Sequence, residues 1–272
     1  MTDLSIPTPF VKWVGGKRSI MSELMTRIPP DISTYYEPFV GGAALFYNIK
    51  PNIQSAVLSD LNLPLVITYQ VVQNQLPNLL NVLRVHQLAH CKDYYYKIRS
   101  QFNLTDPVEI AARFIYLNKT CFNGLYRVNR KGEFNVPMGT YKNPAIVQED
   151  ILGECSRALS NVTILHQSFE VITPTPDDFV YLDPPYDELI STSFTTYTAE
   201  QFGKAMQVKL RDFVEVLDSW NVKWMLSNSN TDFVQDLYKN FNVEIIHAPR
   251  KVNCNATKRG NVEEVIVRNY TN

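Results

Sequence analysis

The chain has 272 residues, 45% of them hydrophobic and 19% charged, and a formal net charge of −1. This is the composition of a soluble globular protein, long enough for one large α/β domain or a domain carrying a sizeable insertion. No apolar run approaches the ~20 residues of a membrane span, and near-neutral charge alone does not suggest a polyanionic partner.

The opening "MTDLSIPTPF" has neither the basic nor the apolar region of an export signal, so nothing suggests export. In "PFVKWVGGKRS" (9–19), Trp13 and a glycine pair stand between Lys12 and Lys17. That combines an aromatic plane, open backbone and two cations, but reads equally as a capped loop with Trp13 in the core. "TYYEPFVGGAALFYN" (34–48) predicts a short strand, a glycine turn and a helix start. "SAVLSDLN" (55–62) predicts a second strand ending on an acid, Asp60, 19 residues after Gly41. A glycine turn lets a ligand approach the backbone, and an acid about 20 residues on suits ribose hydroxyls. Neither G-x-G-x-x-G nor a phosphate loop is present, so a nucleoside cofactor without pyrophosphate fits better than a dinucleotide. A plain tight turn remains the alternative.

From 63 to about 112 the apolar spacing turns helical, in "LVITYQVVQNQLPNLLNVLRVH" and "PVEIAARFIYLNK". Residues 118–144 then break into loops or a hairpin rich in Gly, Asn, Pro, aromatic and basic residues. Strand-like runs return at 162–167, 178–183, 222–228, 243–248 and 263–269, with an amphipathic helix over 198–220. Strands alternating with helices argue a mainly parallel, doubly wound α/β sheet, into which the block from about 63 to 150 looks inserted. Residues 113–142 carry six Lys or Arg against one acid, and residues 250–259 carry four against none. These runs are a local electrostatic footprint or simply solvated surface. Cys91, Cys121, Cys155 and Cys254 stand singly, against a disulfide framework or zinc site and for a reducing cytoplasm.

The stretch "DDFVYLDPPYDELISTSFTTY" (177–197) runs an apolar strand into Asp183, two prolines and Tyr186. Pro184 and Pro185 fix φ and remove two N–H donors, which leaves carbonyls on a stiff turn. With the Asp183 carboxylate, the turn can accept two hydrogen bonds from one NH₂ group, and Tyr186 offers a face to a planar ring. Those features describe a pocket for an exocyclic amine on a heterocycle, against the plainer reading of a structural turn.

"YLDPPY" after "EPFVGGA", with "KWVGGK" ahead of both, resembles the amino-group DNA methyltransferases of the alpha type. The middle block "NKTCFNGLYRVNRKGEFNVPMGTYKNP" (118–144) is similar to the target-recognition segment of the Dam-type adenine methylases. The resemblance covers nearly the whole chain, with its motifs in order. It implies a Rossmann-like catalytic domain in two parts, 1–62 and 151–272, and a DNA-binding target-recognition domain over 63–150. It implies transfer of a methyl group from S-adenosylmethionine to adenine N6 in double-stranded DNA, within GATC, by base flipping and without a metal. S-adenosylhomocysteine is then the product, and the enzyme is a cytoplasmic monomer, with more than one copy on DNA allowed. Matched residue by residue, the cofactor positions are Trp13, Lys17, Phe39, Gly41, Asp60, Phe169 and Asp183. The catalytic positions are Asp183, Pro184, Pro185 and Tyr186. The DNA-contacting positions are Lys12, Phe122, Asn123, Leu125, Arg127, Pro137 and Tyr141. Arg127 is a natural bidentate reader of guanine, and Phe122 is placed to abut the gap left by an extruded base. The loop after Tyr186 is long enough to close over that base.

Two positions depart from the family pattern. Ala43 stands where a second glycine is usual, at a cost of about 1 kcal/mol if φ there is positive. Thr140 stands where many relatives carry arginine. Cytosine N4 presents the same two hydrogens, related tetrapeptides serve RNA bases and glutamine amides, and a regulator without catalysis is a further alternative. The intact Asp183–Tyr186 motif and Asp60 oppose the last. The resemblance does not separate a restriction-modification partner from a phage or host enzyme.

Overall fold

The computed structural model describes residues 6–186, 202–249 and 261–271. In chain order the elements are α1 (Met21–Met25), β1 (Thr34–Glu37), α2 (Ala44–Ile49), β2 (Ser55–Asp60), α3 (Leu63–Asn74), α4 (Leu76–Ala89), α5 (Lys92–Arg99) and α6 (Pro107–Thr120). There follow α7 (Glu149–Ala158), β3 (Val162–His166), β4 (Phe179–Leu182), α8 (Lys204–Ser219), β5 (Lys223–Ser229), α9 (Asp232–Leu237), β6 (Asn242–Pro249) and β7 (Asn261–Arg268).

The sheet order is β3-β2-β1-β4-β5-β7-β6. β1 runs parallel to β2 and β4, and β4 parallel to β5. β7 is antiparallel to β5 and β6 on either side of it. This is the expected mainly parallel, doubly wound, Rossmann-like sheet. Its strand order reverses between β1 and β4, and ligands of such sheets bind beyond the carboxyl ends of the strands at that reversal. Those two ends carry the starts of "EPFVGGA" and "DPPY". Every residue of β4 is buried, as a strand covered on both faces requires. Asp178, itself buried, accepts the Thr34 and Thr175 backbone N–H groups, which pins the starts of β1 and β4 side by side.

The described residues form two compact units. One holds those of Met1–Gly16, Gly41–Lys50 and Ser59–Gln167, the other those of Lys17–Val40, Pro51–Leu58 and Ser168–Asn272. In the first unit, α3 packs on α6, whose Ala111 and Ala112 are fully buried. Asn62 caps α3 and Asp106 caps α6, each accepting a backbone N–H of the first turn. The helical run after 63 divides at Gln75, because Pro77 is tolerated only in the first turn of a new helix. Residues 118–144 make an open hairpin with isolated bridges Cys121–Met138 and Val128–Phe134. It turns at Asn129–Gly132, where the Asn129 side chain accepts the N–H groups of Lys131 and Glu133. In the second unit, Leu210, Val214 and Leu217 of α8 pack on Val180, Leu182, Trp224, Leu226, Val265 and Val267 of the sheet.

Candidate active site

In the second unit, β4 delivers Asp183 from a dry strand onto a turn of two prolines. The Asp183 Oδ1 atom meets Lys17 Nζ at 2.8 Å and accepts from Ser227 Oγ at 3.0 Å. Among the described residues its Oδ2 atom has no hydrogen-bond partner. Ser227 in turn lies 2.8 Å from the Tyr181 hydroxyl. Burial raises the Asp183 pKa, Lys17 and Ser227 oppose that rise, and the nearby Glu264 charge adds to it. Lys17, 5% exposed, also lies over the Tyr186 ring, 4.5 Å from its centroid. The Tyr186 hydroxyl donates to Glu264 at 2.8 Å, which fixes the ring's tilt.

The Pro185 carbonyl of the turn is held in place. Pro185 O accepts from Gln207 Nε2 at 2.8 Å, and Gln207 Oε1 accepts from Asn228 Nδ2 at 3.1 Å. Gln207 and Asn228 are fully buried, so this amide ladder is dry. In the same unit Phe39 stacks on the buried Phe169 at 5.4 Å and meets the edge of Phe202 at 5.5 Å.

In the first unit, Gly41 and Asp60 are brought together. Gly41 N donates to Asp60 Oδ2 at 3.2 Å, and Asn62 N donates to Oδ1 at 2.9 Å. Burial raises the Asp60 pKa, against the pull of those N–H groups and of His166. Gly41 has φ +45, and a Cβ there would lie 2.6 Å from Trp13 Cδ1. Glycine is thus needed for both conformation and space. Ala43 has φ 54 and ψ 32, so the departure from the family pattern falls on a left-handed residue.

The DNA-segment positions also lie in the first unit. Asn118 clamps the main chain of Lys12, accepting its N–H and donating to its carbonyl, each at 2.8 Å. The Lys12 ammonium reaches the Tyr141 hydroxyl at 3.2 Å and lies over that ring. Phe122 is 47% exposed, and its N–H donates to the carbonyl of the exposed Pro137. Asn123 is exposed with φ 55, and Leu125 is half-buried on extended backbone. Arg127 Nε donates to Asn135 Oδ1 at 2.7 Å. The loop 187–197 and the basic run 250–259 lie outside the described residues.

Sequence reasoning missed Ser227, Gln207 and Glu264. A signal existed for the first: "KWMLSNS" ends an apolar strand on three buried polar residues. Buried polar groups need partners, and at a strand's carboxyl end those partners belong to the site.

Residues 13–252 match the family described as D12 class N6 adenine-specific DNA methyltransferase. The chain is 44% identical over 285 residues to the type II methyltransferase M.MjaIII of Methanocaldococcus jannaschii, covering 96% of this chain and 99% of that one. It is 42% identical to the type II methyltransferase M1.LlaDCHI of Lactococcus lactis subsp. cremoris, covering 97% and 96%. To the DNA adenine methylase of Escherichia coli K12 it is 30% identical, covering 94% and 93%.

Proposed function

The chain belongs to the D12 class of N6 adenine-specific DNA methyltransferases, and from that premise we propose that it methylates adenine in duplex GATC with S-adenosylmethionine as donor. The donor supplies an electrophilic methyl group and leaves as a neutral thioether. The residues present fit it. Asp60 has lone pairs beyond those taken by Gly41 and Asn62 for a ribose diol. In the second unit the half-buried Phe39 offers a ring.

The observation that carries the reading is the one-sided engagement of Asp183. Lys17 and Ser227 fix Oδ1, which leaves Oδ2 for one hydrogen of the adenine amine. The Pro184 carbonyl takes the other. Holding both hydrogens disfavours conjugation of the N6 lone pair into the ring and builds density on nitrogen. N6 forms a bond to the methyl carbon as the carbon–sulfur bond breaks, and it sheds one proton. The Asp183 carboxylate is the base this reading assigns. Lys17 covers one face of the Tyr186 ring, so the target ring stacks on the other. Positioning of this kind supplies ~7–11 kcal/mol when the reacting atoms are well aligned.

N6 is hidden within the duplex, so the base is extruded at a cost of a few kcal/mol. Residues 63–150 form the proposed target-recognition domain, with Lys12, Phe122, Asn123, Leu125, Arg127, Pro137 and Tyr141 on DNA. Residues 1–62 and 151–272 form the catalytic domain, acting as a monomer in the cytoplasm. No described helix is long and apolar enough to cross a membrane.

Methyl-labelled S-adenosylmethionine and duplexes with and without GATC test the reading. The label should appear on adenine N6 of GATC duplexes alone, and Asp183→Ala should abolish transfer while retaining DNA binding. Label on cytosine would favour the N4 alternative. DNA binding without transfer by the unaltered chain would favour a regulator, and a flat salt dependence of binding would count against DNA.

A further inference from the structure

Tyr126 lies inside the segment 118–144, between Leu125 and Arg127, but its ring does not follow theirs. It stacks on Trp13 at 5.8 Å with an interplanar angle of 27°, and packs against Phe114 at 5.1 Å and Phe134 at 5.6 Å. The Cδ1–Nε1 edge of Trp13 leaves no room for a Cβ at Gly41. Burial raises the Tyr126 pKa, Asn62 opposes that rise and the Asp60 charge adds to it, so the Tyr126 hydroxyl lies near both side chains. Asn62 N donates to Asp60 Oδ1, and Gly41 N donates to Asp60 Oδ2. The contacts therefore close a ring, from Tyr126 through Asn62, Asp60, Gly41 and Trp13 back to Tyr126.

We infer that Tyr126 is a positioning residue of the donor half-site, supplied by the DNA-recognition segment. It wedges Trp13 against the Gly41 turn and braces Asn62 behind Asp60. The inference rests on the reading that Trp13, Gly41 and Asp60 hold S-adenosylmethionine. Extended backbone turns alternate residues to opposite sides, so one short stretch serves two ligands. Leu125 and Arg127 face DNA, while Tyr126 faces the donor's residues.

The test is calorimetric titration of the full-length protein with S-adenosylhomocysteine in the absence of DNA, alongside GATC duplex binding without cofactor. Tyr126→Leu keeps apolar bulk but loses the stack, and should weaken S-adenosylhomocysteine binding about 10-fold. Duplex affinity should change by less than about twofold, the change expected of one rim position. Tyr126→Phe keeps the stack and loses only the hydroxyl, so it should recover most of the affinity, to within about threefold of the unaltered protein. In steady state, Tyr126→Leu should raise the KM for S-adenosylmethionine more than that for DNA. Unchanged S-adenosylhomocysteine affinity in folded Tyr126→Leu, or duplex affinity falling as far, overturns the inference. Should Tyr126→Leu not fold, Tyr126→Met, which also keeps apolar bulk without a planar ring, takes its place, and unchanged S-adenosylhomocysteine affinity in that variant overturns the inference. An unaltered protein that binds no S-adenosylhomocysteine would instead sink the donor reading, and this inference with it.

Discussion

Lys17 and Asp183 form a 2.8 Å ion pair in which the ammonium also rides on the face of Tyr186. The pair explains how a carboxylate survives at the end of a dry strand. Desolvation raises the Asp183 pKa, Lys17 pulls it down, and Glu264 pushes it up. The proposed mechanism needs Asp183 ionised, so the acid limb of the pH–rate profile follows this group.

The two neighbours should therefore move that limb in opposite directions. Lys17→Met removes a cation, raises the Asp183 pKa further, and should shift the acid limb of kcat/KM to higher pH. Glu264→Gln removes an anion while keeping an acceptor for the Tyr186 hydroxyl, and should shift it to lower pH. Breaking a buried ion pair costs ~3–5 kcal/mol, and because the Asp183 side chain is 20% exposed, Lys17→Met should fall at the low end in urea unfolding. Shifts of the same sign in both variants would dismiss Asp183 as the titrating group.

Gln207 provides a second test. Its amide holds the Pro185 carbonyl and is itself held by Asn228. Gln207→Leu leaves buried polar partners unmet, at about 1–3 kcal/mol of stability. The proline turn loses its backing, so kcat should fall about 10-fold, the equivalent of ~1.4 kcal/mol, with both KM values nearly unchanged. A raised KM with full kcat would show that the ladder shapes binding and not the reacting geometry.

The parts of this fold that could be read from residues alone are those where burial writes a pattern. The run "FVYL" is apolar because β4 is buried on both faces, and α3 and α4 each bury one face at helical spacing. The distance from Gly41 to Asp60 anticipates a real contact, a backbone N–H on a carboxylate. By contrast α5 and α7 bury only two residues each, too few to make a period visible. The antiparallel insertion of β7 between β5 and β6 leaves no mark on residue type, because strand direction does not change which side chains are buried. Tyr186 was legible as a ring but not as one already bearing Lys17 on a face, since that pairing spans 169 positions of chain. Gln207 and Glu264 escaped for the same reason.

Arg127 tests the recognition segment. Its Nε is held by Asn135, which fixes the plane of the guanidinium, as the proposed bidentate pairing with guanine requires. Arg127→Ala should relax discrimination at one base pair by ~1–3 kcal/mol. Asn135→Ala leaves the charge but frees the plane, and should relax the same position by less. Methylation rates on the single-base variants of the site measure both. Uniform weakening on every sequence would make Arg127 a phosphate contact.

Ala43 tests whether the departure from the family's glycine matters. Its φ of 54 places a Cβ in the left-handed region at the start of α2, a strain of roughly 1–2 kcal/mol that Ala43→Gly would relieve. Two effects oppose that gain. Ala43 is 1% exposed, so removing its methyl loses about 0.8 kcal/mol of burial. Glycine also loses more backbone freedom on folding, by roughly 0.5–1 kcal/mol. The terms nearly cancel, and Ala43→Gly should change the unfolding free energy by less than about 0.5 kcal/mol in urea titrations. A gain above about 1 kcal/mol would mean that the strain dominates. An equal loss would mean that the methyl packs as part of the core, and in either case the cancellation would not be why alanine is tolerated here.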